Sequence, residues 1–166
     1  MSAETFTTAM FLITAVLAAG VLINAIFPVI YSMSGTFSSA THESDVRLRT
    51  DFKIVTTLAT YGTPGTAQVW MKNIGSARIP LVEIQRSDVF SGPVGYYERL
   101  NYENVYPQYL GNGNWTETLS DLNNNGYWDP GETLQVTGEF ENLDSSVPVY
   151  FQFVLPNGVW RSIEFT

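Results

Sequence analysis

The sequence predicts an α+β protein, a long N-terminal membrane helix followed by an all-β antiparallel sandwich. Three observations carry this expectation. The stretch Thr5–Tyr31 holds no charged residue. Apolar positions then continue at helical spacing into a polar stretch. After Asp51 the pattern changes to the period of two that marks strands. Residues 1–50 are therefore read as membrane helix and stalk, and residues 51–166 as an extracytoplasmic β-domain.

The helix comes first. From Ala9 to Ile30 the chain reads AMFLITAVLAAGVLINAIFPVI, about the ~20 apolar residues that a membrane span requires. No Lys or Arg precedes it, and no A-x-A-like site with a polar start follows it. Both are marks of a cleaved signal peptide, so the segment reads as a retained anchor. Leu12, Val16, Ala19, Ile23, Ile26, Ile30, Met33 and Phe37 form a stripe at spacings of three and four. The stripe passes beyond the lipid core, and SSATHESDVRLRT prolongs the helix to about Thr50. A helix that is apolar first and amphipathic later suits packing against neighbouring helices; the alternative is a plain anchor with a helical stalk. Pro28 removes the hydrogen bond to the Asn24 carbonyl, and Asn24 carries a polar side chain into lipid. Either a kink or a helix–helix contact at Asn24 accounts for the pair. Arg47, Arg49 and Lys53 follow the span with nothing basic before it, which by the positive-inside rule favours a cytoplasmic domain. The β-rich domain and its calcium-type loop favour the outside, and the expectation here is outside.

The strands come next. FKIVTTLATY, AQVWMKNI, IPLVEIQRSDVF, GYYERLNYENVY, ETLQVTGEF, VPVYFQFVL and VWRSIEFT are short, rich in β-branched and aromatic residues, and separated by Gly, Pro and Asn turns. That pattern suits an immunoglobulin-like sandwich.

Asp121 to Glu132 reads DLNNNGYWDPGE. The pattern D-x-[DN]-x-[DN]-G-x₅-E is that of an EF-hand calcium loop. Asp121, Asn123 and Asn125 fill its first, third and fifth positions, and Gly126 its turn. Tyr127 offers a backbone carbonyl, Asp129 stands ninth, and Glu132 is the closing bidentate ligand. Hard oxygen donors from one short loop are what Ca²⁺ takes. The flanks read as strands, so the expectation is a Ca²⁺ loop set between strands; an Asx-rich hairpin without metal is the alternative. Asn114-Trp115-Thr116 is a sequon that makes Asn114 a possible glycosylation site.

Other functions find less support. The net charge of −8 and the lack of a basic patch argue against nucleic acid. There is no cysteine, which excludes disulfides and thiolate metal sites. The single histidine, His42, lies in the stalk, and no catalytic arrangement emerges. Trp70, Trp115, Trp128 and Tyr96 suit an aromatic sugar-binding groove, and equally a core.

The N-terminal run with Glu4 and TAMFLITAVLAAGVLINAIFPVIYSMSG, the continuation FSSATHESDVRLRTDFKIV, and the β-stretch VWMKNIGSARIP…SDVF together resemble a known group. It comprises accessory proteins G and F of the archaellum, the archaeal flagellum, with protein G the nearer. Archaellins and archaeal type IV pilins look similar in the same places. The resemblance implies a pilin-like membrane helix and a sandwich beneath the surface layer. It implies a non-enzymatic, stationary role that holds the motor to the envelope. It further implies partners among archaellar or pilus proteins through the helix, a surface-layer protein through the β-domain, and a homo- or hetero-oligomer in the archaeal cell membrane. Filament subunits of this superfamily carry a basic leader ending in Gly, which MSAETF lacks, so the accessory role is expected over the filament role.

Overall fold

The computed structural model describes residues 3–166. One helix, α1 (Ala3–Arg49), is followed by ten strands: β1 (Phe52–Thr60), β2 (Gly65–Asn73), β3 (Ile79–Pro80), β4 (Asp88–Pro93), β5 (Glu98–Tyr102), β6 (Asn114–Ser120), β7 (Tyr127–Trp128), β8 (Thr133–Phe140), β9 (Val149–Val154) and β10 (Trp160–Phe165). A short helix, α2 (Leu81–Gln85), lies between β3 and β4.

Helix α1 runs unbroken through Pro28 and buries none of its residues. Met10, Phe11, Leu12 and Ile13 are all largely exposed. Four consecutive positions cover a whole turn, so apolar side chains stand on every face here. The expected stripe is therefore a subset of an all-round apolar surface up to Ile30. Only beyond it do Met33 and Phe37 continue along one side. The helix satisfies its own hydroxyls, since Thr14 donates to Met10 O (2.8 Å), Ser32 to Val29 O (2.9 Å) and Thr36 to Ser32 O (2.9 Å). Such back-bonding lets Ser and Thr sit in lipid without a partner helix.

The chain divides into two compact units, one up to Ser44 and one from Asp45 to Thr166. The expected boundary lay at residues 50 and 51. The last helical turn belongs with the β-unit because its free carbonyls are taken up there. Arg49 O accepts from Ser76 N (2.9 Å) and Ala77 N (3.0 Å), and Asp51 O accepts from Ile74 N (3.0 Å) and Gly75 N (2.8 Å). A Cβ on Gly75 would stand 2.4 Å from Arg49 O, so glycine is what permits this approach.

Eight strands form one sheet in the order β1-β2-β8-β6-β5-β4-β9-β10, and β3 pairs separately with β7. The sheet folds over so that β1 and β10, its two ends, come together. There Arg161 pairs with Asp51 and lies 5.9 Å over the Phe52 ring. The sandwich is thus two halves of one curled sheet. Alternation sets its inside: on β2, Ala67, Val69 and Met71 are buried while Gln68 and Trp70 are half-buried and Lys72 is exposed. Rings from both halves meet in the core, with Phe153 on β9 edge-on to Phe52 (5.6 Å) and to Trp115 (6.2 Å). Trp115 and Trp128 are fully buried, so neither lines a sugar groove. Tyr96, by contrast, is exposed on the β4–β5 turn.

Three elements differ from the sequence reading. IPLVEIQRSDVF is not one strand. Pro80 cannot donate to a ladder, and the five residues after it wind into α2, closed by Ser87 N and Ser87 Oγ on the carbonyls of Ile84 and Glu83. NWTETLS forms β6, a central strand that its modest apolar content hides. The sheet is not purely antiparallel, since β5 and β6 run parallel through Asn101↔Asn114 and Tyr102↔Trp115.

Asn73 ties these parts together. It is buried, donates from Nδ2 to Ala77 O (2.9 Å) and Trp128 O (2.8 Å), and accepts at Oδ1 from Gly75 N (3.0 Å). Asn73→Ala removes these three bonds, and Gly75 N keeps only its bond to Asp51 O. At ~1 kcal/mol for each bond, the expected loss is about 3 kcal/mol, read as a lower urea midpoint with an unchanged slope.

Candidate functional site

The loop from Asp121 to Glu132 enters from β6, carries β7 and leaves into β8. Its fold follows from its Asx residues and its glycine. Asn124 and Gly126 both take left-handed backbone, at φ 56° and 76°. That geometry suits Gly and Asn and few other residues. Gly126 N donates to Asp121 Oδ2 (2.8 Å), Asn125 N to Asn123 Oδ1 (3.1 Å), and Tyr127 N to Asn125 Oδ1 (2.8 Å). The side chains turn inward. Asp129 Oδ2 accepts from the amides of both Asn123 (2.8 Å) and Asn125 (2.7 Å). Glu132, buried, closes the loop end to end by accepting from Leu122 N (3.0 Å) and Asp129 N (2.9 Å).

The electrostatics favour anions held in place. Backbone N–H groups, Gly126 first and then Asn125, Asn124 and Asn123, hold the Asp121 carboxyl below the usual carboxylate range, against an opposing effect of burial. The amides of Asn123 and Asn125 do the same for Asp129, with a smaller contribution from Arg78. Arg78 Nε lies 3.6 Å from Asp129 Oδ1 and 5.6 Å above the Tyr127 ring. Asp121 Oδ1 and Asp129 Oδ1 are both buried and accept no hydrogen bond.

The six expected calcium donors lie in one loop, and five of them, Asn123, Asn125, Tyr127, Asp129 and Glu132, are linked by direct hydrogen bonds within it. Among the described residues no three carboxylates or histidines meet as a formed metal cluster. Two donors are amides, and Glu132 faces backbone N–H groups. Sequence reasoning missed Arg78 and Asn73, which reach the loop from distant parts of the chain and carry no local signal.

Beside the loop lies an open cleft lined by Leu81, Glu117, Leu119, Asp121, Asn124, Asn125 and Gly126. Glu117 Oε1 accepts from Gln85 (2.9 Å) and Tyr102 (3.1 Å), while Oε2 is buried with no hydrogen bond. Burial, and then the Glu117 charge, push the Tyr102 hydroxyl well above its ordinary pKa.

The remaining candidates stand apart from the loop. Asn114 opens β6, and its amide nitrogen, the atom that a glycan would take, donates to Glu103 Oε2 (2.7 Å). Glu4 lies in the first turn of α1, and His42 is exposed on the same helix. The helix residues Leu12, Val16, Ala19, Ile23, Asn24, Ile26, Ile30, Met33 and Phe37 are all exposed. The helix is long and apolar enough to cross a membrane.

Comparison with known proteins places these features in context. A family model for archaeal-type flagellin matches residues 3–165. An uncharacterized protein of Archaeoglobus fulgidus is 27% identical over 165 residues, covering 96% of this chain and 95% of that protein. Among solved structures, the archaellum periplasmic stator protein FlaG from Sulfolobus acidocaldarius is similar with a TM-score of 0.54 at 24% identity, over 70% of this chain and 99% of that one. FlaG and FlaF in complex from the same organism give 0.53 at 23% identity, over 69% and 87%. The archaeal flagellin FlaB1 from Methanocaldococcus jannaschii gives 0.56 at 16% identity, over 70% and 89%. These likenesses establish a shared fold, a β-domain of the archaellin kind.

Proposed function

The chain belongs to the archaeal-type flagellin family, and from that premise we propose that it is a membrane-anchored stationary component of the archaellum motor. Membership makes it a structural archaellum component and not an enzyme. The single observation that carries the finer reading is the pairing of a fully exposed apolar helix with a stator-like β-domain. The helix buries nothing in its own chain, so lipid or other helices must cover it. Asn24 and the extension through Met33 and Phe37 suit a helix-to-helix contact with archaellar proteins. The β-domain stands outside the membrane and meets the surface layer, for which its exposed Tyr96, Tyr106 and Tyr109 are suitable contact residues.

A second reading, a filament subunit, is favoured by the likeness to an archaeal flagellin and by apolar side chains on every face of the helix, as in the core of a helical filament.

One experiment separates the two. Tyr96→Cys introduces the chain's sole thiol at a site that is 88% exposed. In intact cells a membrane-impermeant maleimide should label this variant, and after shearing the label should stay with the membranes. Label recovered as a major constituent of sheared filaments would establish the subunit reading. Labelling only after lysis would place the β-domain inside the cell and refute both.

A further inference from the structure

We infer that the tip of the β-domain carries a preformed groove that docks an arginine-bearing segment of a protein partner. The tip is the end of the sheet away from Asp51, where β1 ends and β2 begins. The inference goes beyond the motor reading and stands equally for a filament subunit.

An open groove of about 420 Å³ lies there, with Pro93, Tyr96, Glu98, Phe140, Glu141 and Asn142 in its lining. Both of its walls are held in place. On one side Val94 N donates to Pro148 O (2.9 Å) and Tyr96 N to Pro93 O (2.9 Å), and the Tyr97 ring packs 4.5 Å from that of Tyr150. Gly92, at φ 144°, lets this turn fold back closely, since a Cβ there would stand 2.9 Å from Tyr97 Cα. On the other side Gly62 and Leu143 exchange two backbone hydrogen bonds of 3.0 Å. That bridge sets Thr63 beside Asn142, with Thr63 Oγ1 3.4 Å from Asn142 Oδ1. A groove with fixed walls has little ordering left to lose when a partner enters.

Its chemistry names the occupant. Phe140 and Pro93 offer apolar surface, and Glu98 and Glu141 stand exposed at the rim. Among the described residues neither of these carboxylates meets an Arg or Lys, whereas Arg49, Arg78, Arg99 and Arg161 are each matched with an Asp elsewhere. From Leu100 to Trp160 the chain holds no Lys or Arg at all. Glu139 and Asp144 add negative charge at the same end. Charge complementarity therefore asks for a cation, and the apolar surface asks for one carried on an alkyl stem. No three carboxylates or histidines converge as a metal cage among the described residues. Arginine fits better than lysine, because a planar guanidinium stacks on the exposed Tyr96 ring while donating in pairs to a carboxylate.

The test uses the full chain in a nonionic detergent and a fluorescein-labelled tetra-arginine peptide, followed by anisotropy. Tetra-arginine should bind more tightly than tetra-lysine and be released as salt rises. Glu98→Gln and Glu141→Gln should each weaken binding ~5-fold. Tyr96→Ala should weaken tetra-arginine ~3-fold and tetra-lysine less. Glu83→Gln, on α2 and outside the groove, removes the same charge and should change nothing. An equal loss in Glu83→Gln, or parental affinity in Glu98→Gln, reduces the effect to net charge and overturns the groove. Absence of tetra-arginine binding overturns it as well. If Glu98→Gln with Glu141→Gln instead lowers the sedimentation coefficient of the chain itself while no peptide binds, the occupant is a second copy and the arginine reading falls.

Discussion

Cut at Asp45, the β-domain should leave the membrane fraction altogether and remain folded as a soluble protein with a β-sheet circular dichroism spectrum. The apolar segment that demands lipid lies wholly before Ser44, whereas the hydrogen bonds that hold the last helical turn lie wholly after it. A fragment starting at Asp51 should also fold, but less stably. It lacks the Arg49 carbonyl that accepts from Ser76 and Ala77 and the Thr50 hydroxyl that accepts from Asn157 Nδ2. At ~1 kcal/mol for each of these lost hydrogen bonds, and about 4 °C for each kcal/mol in a domain of this size, the shorter fragment should melt roughly 10 °C lower. Equal melting temperatures would mean that the helical turn contributes nothing. A mainly helical spectrum from either fragment would refute the division itself.

Phe153→Ala should be the most damaging single change in the β-domain. Its ring is fully buried and stands edge-on to Phe52 from β1 and to Trp115 from β6. It therefore joins both halves of the curled sheet. Truncating a buried Phe costs about 3–5 kcal/mol, which corresponds to a fall of roughly 15 °C in Tm. Tyr96→Ala, on an exposed turn, is the control and should change Tm by little. A Phe153→Ala variant that melts like the parent would show that the two halves are held by something other than this ring cluster.

Much of this architecture was legible in the sequence where the signal is local. The uncharged run fixes a long helix, and its end at Arg49 lies within one residue of the reading at Thr50. The turn from Asp121 to Glu132 is readable because its Asx residues and Gly126 fall within twelve consecutive positions. The alternation in AQVWMKNI identifies β2 and its buried face. What stayed hidden depends on distant partners. Nothing near Arg78 announces that it faces Asp129, and nothing near Asn73 announces its bond to the Trp128 carbonyl. Strand β6 escaped because only Trp115 and Thr116 on it are buried, so its alternation is faint. Helix α2 escaped because a short apolar run after a proline fits a strand or a helix equally well. The parallel β5–β6 pairing was hidden for a related reason, since direction is decided by how residues 103–113 return across the sheet and not by either strand.

One feature of α1 bears on mechanics. Between Met10 and Ile30 its apolar side chains face every direction, so a bilayer meets nearly the same cylinder however the rod is turned. Drawing it out of the membrane exposes all of that surface to water and is strongly opposed. Spinning it about its own long axis exposes almost nothing and is scarcely opposed by lipid. Within the bilayer such an anchor carries tension but not torque. In the proposed motor role, the twisting load on this chain then falls on protein contacts and not on lipid.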